Sequence, residues 1–115
     1  MLRTFIEVKW IQEGWHQWKD APVEVDFLKP RHRHLFVIRA KIPVSHDDRQ
    51  LEFFLVKNYL QSALLKRFPS GEFRSFSCEM IAKFVLEDII VAYGIKKDIS
   101  VSVHEDDENG SFVQN

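Results

Sequence analysis

A chain of 115 residues, 45% of them hydrophobic, is long enough to bury a core and too short to hold a second domain, so residues 1–115 read as one domain. Lys and Arg number 16 against 17 Asp and Glu, for a formal net charge of -1, which excludes a bulk field that would recruit nucleic acid or an anionic membrane. The single cysteine, Cys78, excludes an intrachain disulfide and agrees with a reducing compartment.

At the amino terminus, Met1-Leu2-Arg3-Thr4-Phe5-Ile6-Glu7 is interrupted by charge too often for a signal peptide. No apolar run approaches the roughly 18 residues of a membrane span, so the expectation is a soluble, cytoplasmic protein. Ile6, Val8 and Trp10 alternate with Glu7, Lys9 and Glu13, which predicts a half-buried first strand from Leu2 to about Glu13. Its parity reaches His16 unless Gly14 marks a bulge. Pro22 and Pro30 bound a loop from Lys19 to Arg31, with room for a short extended piece at Val23-Glu24-Val25. A second strand is predicted over His32–Val44, where His32, His34, Phe36, Ile38, Ala40 and Ile42 share the core-facing parity.

Ser45-His46-Asp47-Asp48 offers several N-caps, and the Gly- and Pro-free run from Arg49 to Phe68 predicts a helix. Its apolar residues form two faces, Leu51, Phe54, Leu55 and Leu65 on one and Phe53, Val56, Leu60 and Leu64 on the other. Burial on two sides is implied, against a sheet and against a second helix or subunit. Pro69-Ser70-Gly71 ends it, and Glu72–Phe76 reads as a loop. Ser75 or Ser77 can cap a second helix over Cys78–Tyr93, with Gly94 at the left-handed C-cap. A third strand, Asp98–Glu105, places Ile99, Val101, Val103 and Glu105 on one face. After the turn at Asp106-Asp107-Glu108-Asn109-Gly110, Ser111-Phe112-Val113 returns as a short fourth strand. The order ββααββ predicts an α+β fold, an antiparallel four-stranded sheet with two helices on one face. Such a sheet has broad edges that need pairing, which points to a homo-oligomer.

The chemistry-bearing residues gather around His32-Arg33-His34. On a strand, i and i+2 share a face, so two imidazoles stand side by side where an unpaired one would be costly. His16, on the neighbouring strand, can supply a third. Three imidazoles suit Zn²⁺ at about 2.0–2.1 Å per bond and leave a fourth position for water or substrate. The alternative is a basic turn, Pro30-Arg31-His32-Arg33-His34, with no metal. Glu105, at the end of a core-facing strand, can accept charge-assisted hydrogen bonds from a ligand, or it can be a solvated residue entering an acidic turn. Trp15 and Trp18 flank His16 and either stack on a planar ring or serve the core or an interface. Cys78 is either a thiol of lowered pKa at a helix N-terminus or a buried one. His46 and His104 read as surface residues. A cupin-like metal oxygenase also uses His-x-His, but the Glu and distant His of that pattern are not placed here.

This order of elements, with His16, His32-Arg33-His34 and Glu105-Asp106, resembles the 6-pyruvoyl-tetrahydropterin synthase family, which includes the 6-carboxy-tetrahydropterin synthases of queuosine (7-deazaguanine) biosynthesis. Arg49–Lys57 resembles its Gly-Met-Val-x-Asp-Phe-x-x-Leu-Lys stretch, and Phe76–Ala82 its Pro-Thr-x-Glu-Asn-x-Ala helix opening. The resemblance implies the tunnelling or T-fold, sheets joined between subunits into barrels, Zn²⁺ on His16, His32 and His34, a small pterin- or purine-like ligand held by Glu105, and lyase-like chemistry. Two departures stand against the usual reaction. Leu28 occupies the place of the family's proton-transfer cysteine, with only Glu24 and Asp26 nearby, and the stretch 65–76, where an Asp-His dyad belongs, holds neither residue. The resemblance therefore leaves open a zinc enzyme of altered chemistry or a non-catalytic protein that sequesters or senses a nucleotide-like ligand.

Overall fold

The computed structural model describes every residue from Met1 to Asn115. Strands β1 (Thr4–His16) and β2 (His32–Val44) pair antiparallel along their whole length, from Thr4 opposite Val44 to His16 opposite His32. Apolar alternation fixes that register: Ile6, Val8 and Trp10 on β1 and Phe36, Ile38, Ala40 and Ile42 on β2 are all buried. A slip of one residue would turn either set to solvent. The pairing with β2 passes Gly14 without a bulge.

After β2 come α1 (Phe53–Arg67), β3 (Glu72–Arg74), α2 (Cys78–Tyr93), β4 (Ser100–Glu105) and β5 (Asn109–Gln114). The sheet has the order β3-β1-β2-β4-β5, with β3 parallel to β1 and the other pairs antiparallel. It thus has five strands, where four, all antiparallel, are expected from the sequence, because the presumed loop at 72–76 begins as an edge strand. Small residues allow this. A Cβ at Gly14 would run into the Phe73 ring, and one at Gly71 into the Glu13 carbonyl. Gly71 also adopts φ +73°, a conformation that costs L-residues energy. Close approach of the two strands then buries Phe73 completely.

Both helices lie on the core face. Val56, Leu60 and Leu64 of α1 and Ile81, Ala82, Val85 and Ile89 of α2 join Val101 and Val103 of β4 in one cluster. Each Val, Leu or Ile side chain among these contributes about 1.5–3 kcal/mol on burial. The start of α1 lies later than the capping signals suggest. Glu52 caps it by accepting from the Phe54 and Leu55 N–H groups at 3.0 and 3.1 Å. The Gln50 side chain, meanwhile, accepts from the Ser45 and His46 N–H groups. In α2 the cap is Ser77, and Gly94 at φ 68° ends the helix. Residues Val23–Leu28 wind into a 3₁₀ segment instead of an extended piece. The Trp18 N–H donates to the Leu28 carbonyl at 2.9 Å, which brings Leu28 back beside the end of β1. No helix is long and apolar enough to cross a membrane.

Candidate metal centre and its cleft

Because His16 and His32 are register partners and His34 stands two residues along β2, the sheet delivers three imidazoles to one spot on its core face. Ring centroids lie 4.5 Å (His16–His32), 5.3 Å (His16–His34) and 5.0 Å (His32–His34) apart. Their ligand atoms are all within 4.8 Å of one another. Phe36 lies next along the same face, with its ring 5.2 Å from His16 and 4.7 Å from Phe73.

What surrounds the rings decides their tautomers. His16 Nδ1 is 3.3 Å from the Phe76 carbonyl, His32 Nδ1 is 2.9 Å from the Pro30 carbonyl, and His34 Nδ1 is 2.7 Å from the Asp106 carboxylate. Each partner can only accept, so each Nδ1 carries the proton and donates it. All three Nε2 atoms are left with lone pairs. Those of His32 and His34 are buried without a hydrogen-bond partner. An unsatisfied buried group costs about 1–3 kcal/mol, and converging lone pairs are what a cation removes. The residues present fit a divalent metal such as Zn²⁺ on His16, His32 and His34.

Glu105 pairs with Phe36 across β4 and β2, which turns its carboxylate inward beside the histidines. Its Oε2 lies 3.0 Å from His16 Nε2 and 3.7 Å from His34 Nε2. The next residue, Asp106, also accepts from the Leu35 N–H at 2.9 Å, and its carboxyl is held below the ordinary range, chiefly by that bond and then by His34. Sequence reasoning missed this role of Asp106, which reads there as one acid in an acidic turn.

A cleft of about 510 Å³ opens from the centre. Its lining includes His16, His32, Glu105, Trp18 and Leu28, and on the other side the first turn of α2. Of the two tryptophans, Trp18 lines the cleft. Trp15 stands outside it, with the Arg31 guanidinium 4.9 Å over its ring. That same Arg31 forms a two-pronged pair with Glu72, at 2.9 and 2.7 Å, which ties the start of β2 to β3. Cys78 borders the cleft as a buried thiol, and burial, with Glu105 and Glu79 nearby, pushes its pKa up to about 12. A lowered pKa, the other sequence reading, does not hold. Leu28 puts an alkyl group at the cleft wall. His46 is exposed, and His104 belongs to the opposite sheet face, half-buried with Nδ1 unpartnered. Neither reaches the cleft.

No protein-family model matches the chain, and no curated protein matches its sequence. Among solved structures the chain is similar to the 6-pyruvoyl tetrahydropterin synthase of Caenorhabditis elegans, at a TM-score of 0.64 and 12% identity. The alignment covers 100% of this chain and 97% of that one. At that identity the likeness establishes the fold: an α+β T-fold, in agreement with the class read from the sequence.

Proposed function

We propose that this is a zinc-binding T-fold protein that holds a planar pterin-, purine- or 7-deazaguanine-like compound in the cleft beside the centre. The observation that carries the reading is the convergence of three Nε2 lone pairs, each enforced by an Nδ1 proton committed to an acceptor. Bound there, zinc supplies a Lewis acid for an oxygen of the ligand. The chain's own residues do the rest. Glu105 accepts ring N–H groups, Trp18 offers a face for stacking, and Leu28 with Phe76 excludes water from one wall. The solved structure of like fold is a pterin synthase, which favours a ring of that class.

A non-catalytic role, sequestering or sensing the ligand, is favoured over the usual family reaction by Leu28 and by a 65–76 stretch without Asp or His. Proton-transfer groups typically contribute about 10²- to 10⁴-fold each, and the buried, protonated Cys78 is no ready base. If chemistry persists, it is a zinc-dependent, lyase-like reaction slower than or different from that of the family. Native mass spectrometry of protein purified from cells without chelators tests the proposal. The expected spectrum shows a homo-oligomer with one zinc per subunit and a heterocyclic compound that leaves when the protein is denatured. Subunits free of metal, which also take up none when zinc is added, would contradict it.

A further inference from the structure

The face of the sheet away from the helices carries a second cleft, of about 400 Å³, lined by none of the three histidines. Strand register explains its shape. Lys9 stands opposite Arg39, Arg39 opposite Ser102, and Ser102 opposite Phe112, while Glu7, Lys41 and Ser100 form the neighbouring row. Long side chains on β1 and β2 and the ring of Phe112 on β5 thus wall a floor of two serines. Ser100 and Ser102 are only 6% and 9% exposed, yet no other group of the chain bonds their hydroxyls. Phe112, by contrast, is 63% exposed.

Three cations, Lys9, Arg39 and Lys41, line this cleft against one carboxylate, Glu7. Like charges directly opposite on neighbouring strands repel, and Lys9 and Arg39 are such a pair. Asp107 takes one nitrogen of Arg39 at 3.2 Å, and Lys41 lies 4.4 Å over the Phe5 ring. The other guanidinium N–H groups and the Lys9 ammonium are left to an anion from outside.

We propose that this cleft is a second binding site, separate from the histidine centre, for the phosphate group of a small aromatic phosphate. Such a ligand uses every part of it. The guanidinium and ammonium groups give charge-assisted bonds to phosphate oxygens, and the serine hydroxyls donate to them from below. The Phe112 ring offers an apolar face to the organic part. The volume suits a ring with its phosphate, since small-molecule sites run from about 300 Å³ upward. A free phosphate ion shares the anion chemistry but makes no use of Phe112.

Isothermal titration of the full chain with phenyl phosphate, inorganic phosphate and phenol provides the test. Phenyl phosphate is expected to bind more tightly than inorganic phosphate and phenol not to bind, with added salt weakening both anions. Affinity for phenyl phosphate is expected to fall about tenfold or more in the double variant Lys9→Gln/Arg39→Gln, and to fall also in Ser102→Ala. Lys66→Gln removes an exposed cation from α1, and His32→Ala breaks the histidine centre; both are expected to bind as wild type does. Circular dichroism confirms that the variants are folded. Binding of neither anion at millimolar concentration overturns the proposal, and a lower assembly mass for the double variant in light scattering then assigns the face to a second copy of the chain. A double variant that binds as tightly as Lys66→Gln also overturns it. So does loss of binding in His32→Ala, which moves the phosphate to the metal centre. Inorganic phosphate that binds as tightly as phenyl phosphate supports the anion site and overturns the role of Phe112.

Discussion

Asp106 accepts from His34 Nδ1 with one oxygen and from the Leu35 N–H with the other, so it fixes both the tautomer and the direction of the His34 imidazole. Removing such a support typically lowers metal affinity about 10- to 100-fold. Asp106→Ala is therefore expected to lose zinc affinity in that range, read by competition with a chromophoric chelator, and unchanged affinity would contradict the role. At Cys78 the expectation concerns reactivity. With burial pushing its pKa up to about 12, the thiol stays protonated at pH 8, so alkylation in the native protein should lag far behind a free cysteine and speed up on unfolding. Equal rates in the two states would contradict it. His32, His34 and Glu105 were legible in the sequence because strand parity alone turns them toward the core. Asp106 was not, since a carboxylate in an acidic turn gives no sign of the ring it holds until β4 is placed beside β2.

The alternations on β1, β2 and β4 were long enough to reveal both element and facing, and α2 announced both ends through Ser77 and Gly94. Strand β3 is different: three residues are too few for a period, and its existence depends on contacts distant in sequence. Gly71 is the clearest of these, since its left-handed φ and its approach to the Glu13 carbonyl leave no room for a side chain. Left-handed backbone alone costs an L-residue about 1–2 kcal/mol, so Gly71→Ala should lose at least that much in urea denaturation. A midpoint equal to wild type would show that β3 docks by some other route. The delayed start of α1 has a similar cause. Gln50 takes up the N–H groups of Ser45 and His46, so the helix begins where the next carboxylate, Glu52, can cap it.

The whole molecule measures 50 × 28 × 21 Å with a radius of gyration of 15.2 Å, against about 13 Å for a compact domain of this length. The excess comes from the long β1–β2 pair. Both sheet edges, β3 and β5, lack a neighbour within the chain. Apolar side chains cluster bare at the start of α1, where Phe53, Phe54 and Leu55 are 56%, 67% and 70% exposed, and in the 19–31 loop, where Val23 and Phe27 are 76% and 68% exposed. Apolar α1 residues on the side expected against a second helix or subunit are thus exposed, and unpaired edges favour association. We expect a homo-oligomer whose interface includes the sheet edges and the 19–31 loop. Light scattering at micromolar concentration should give a mass several times that of one chain, and a monomer would contradict it. The most direct test of the account is metal content after purification without chelators and saturation with zinc. Wild type is expected to retain about one zinc per chain through gel filtration and His32→Ala almost none. A wild type that retains none, or a triple His16, His32 and His34 alanine variant that retains as much, would contradict it.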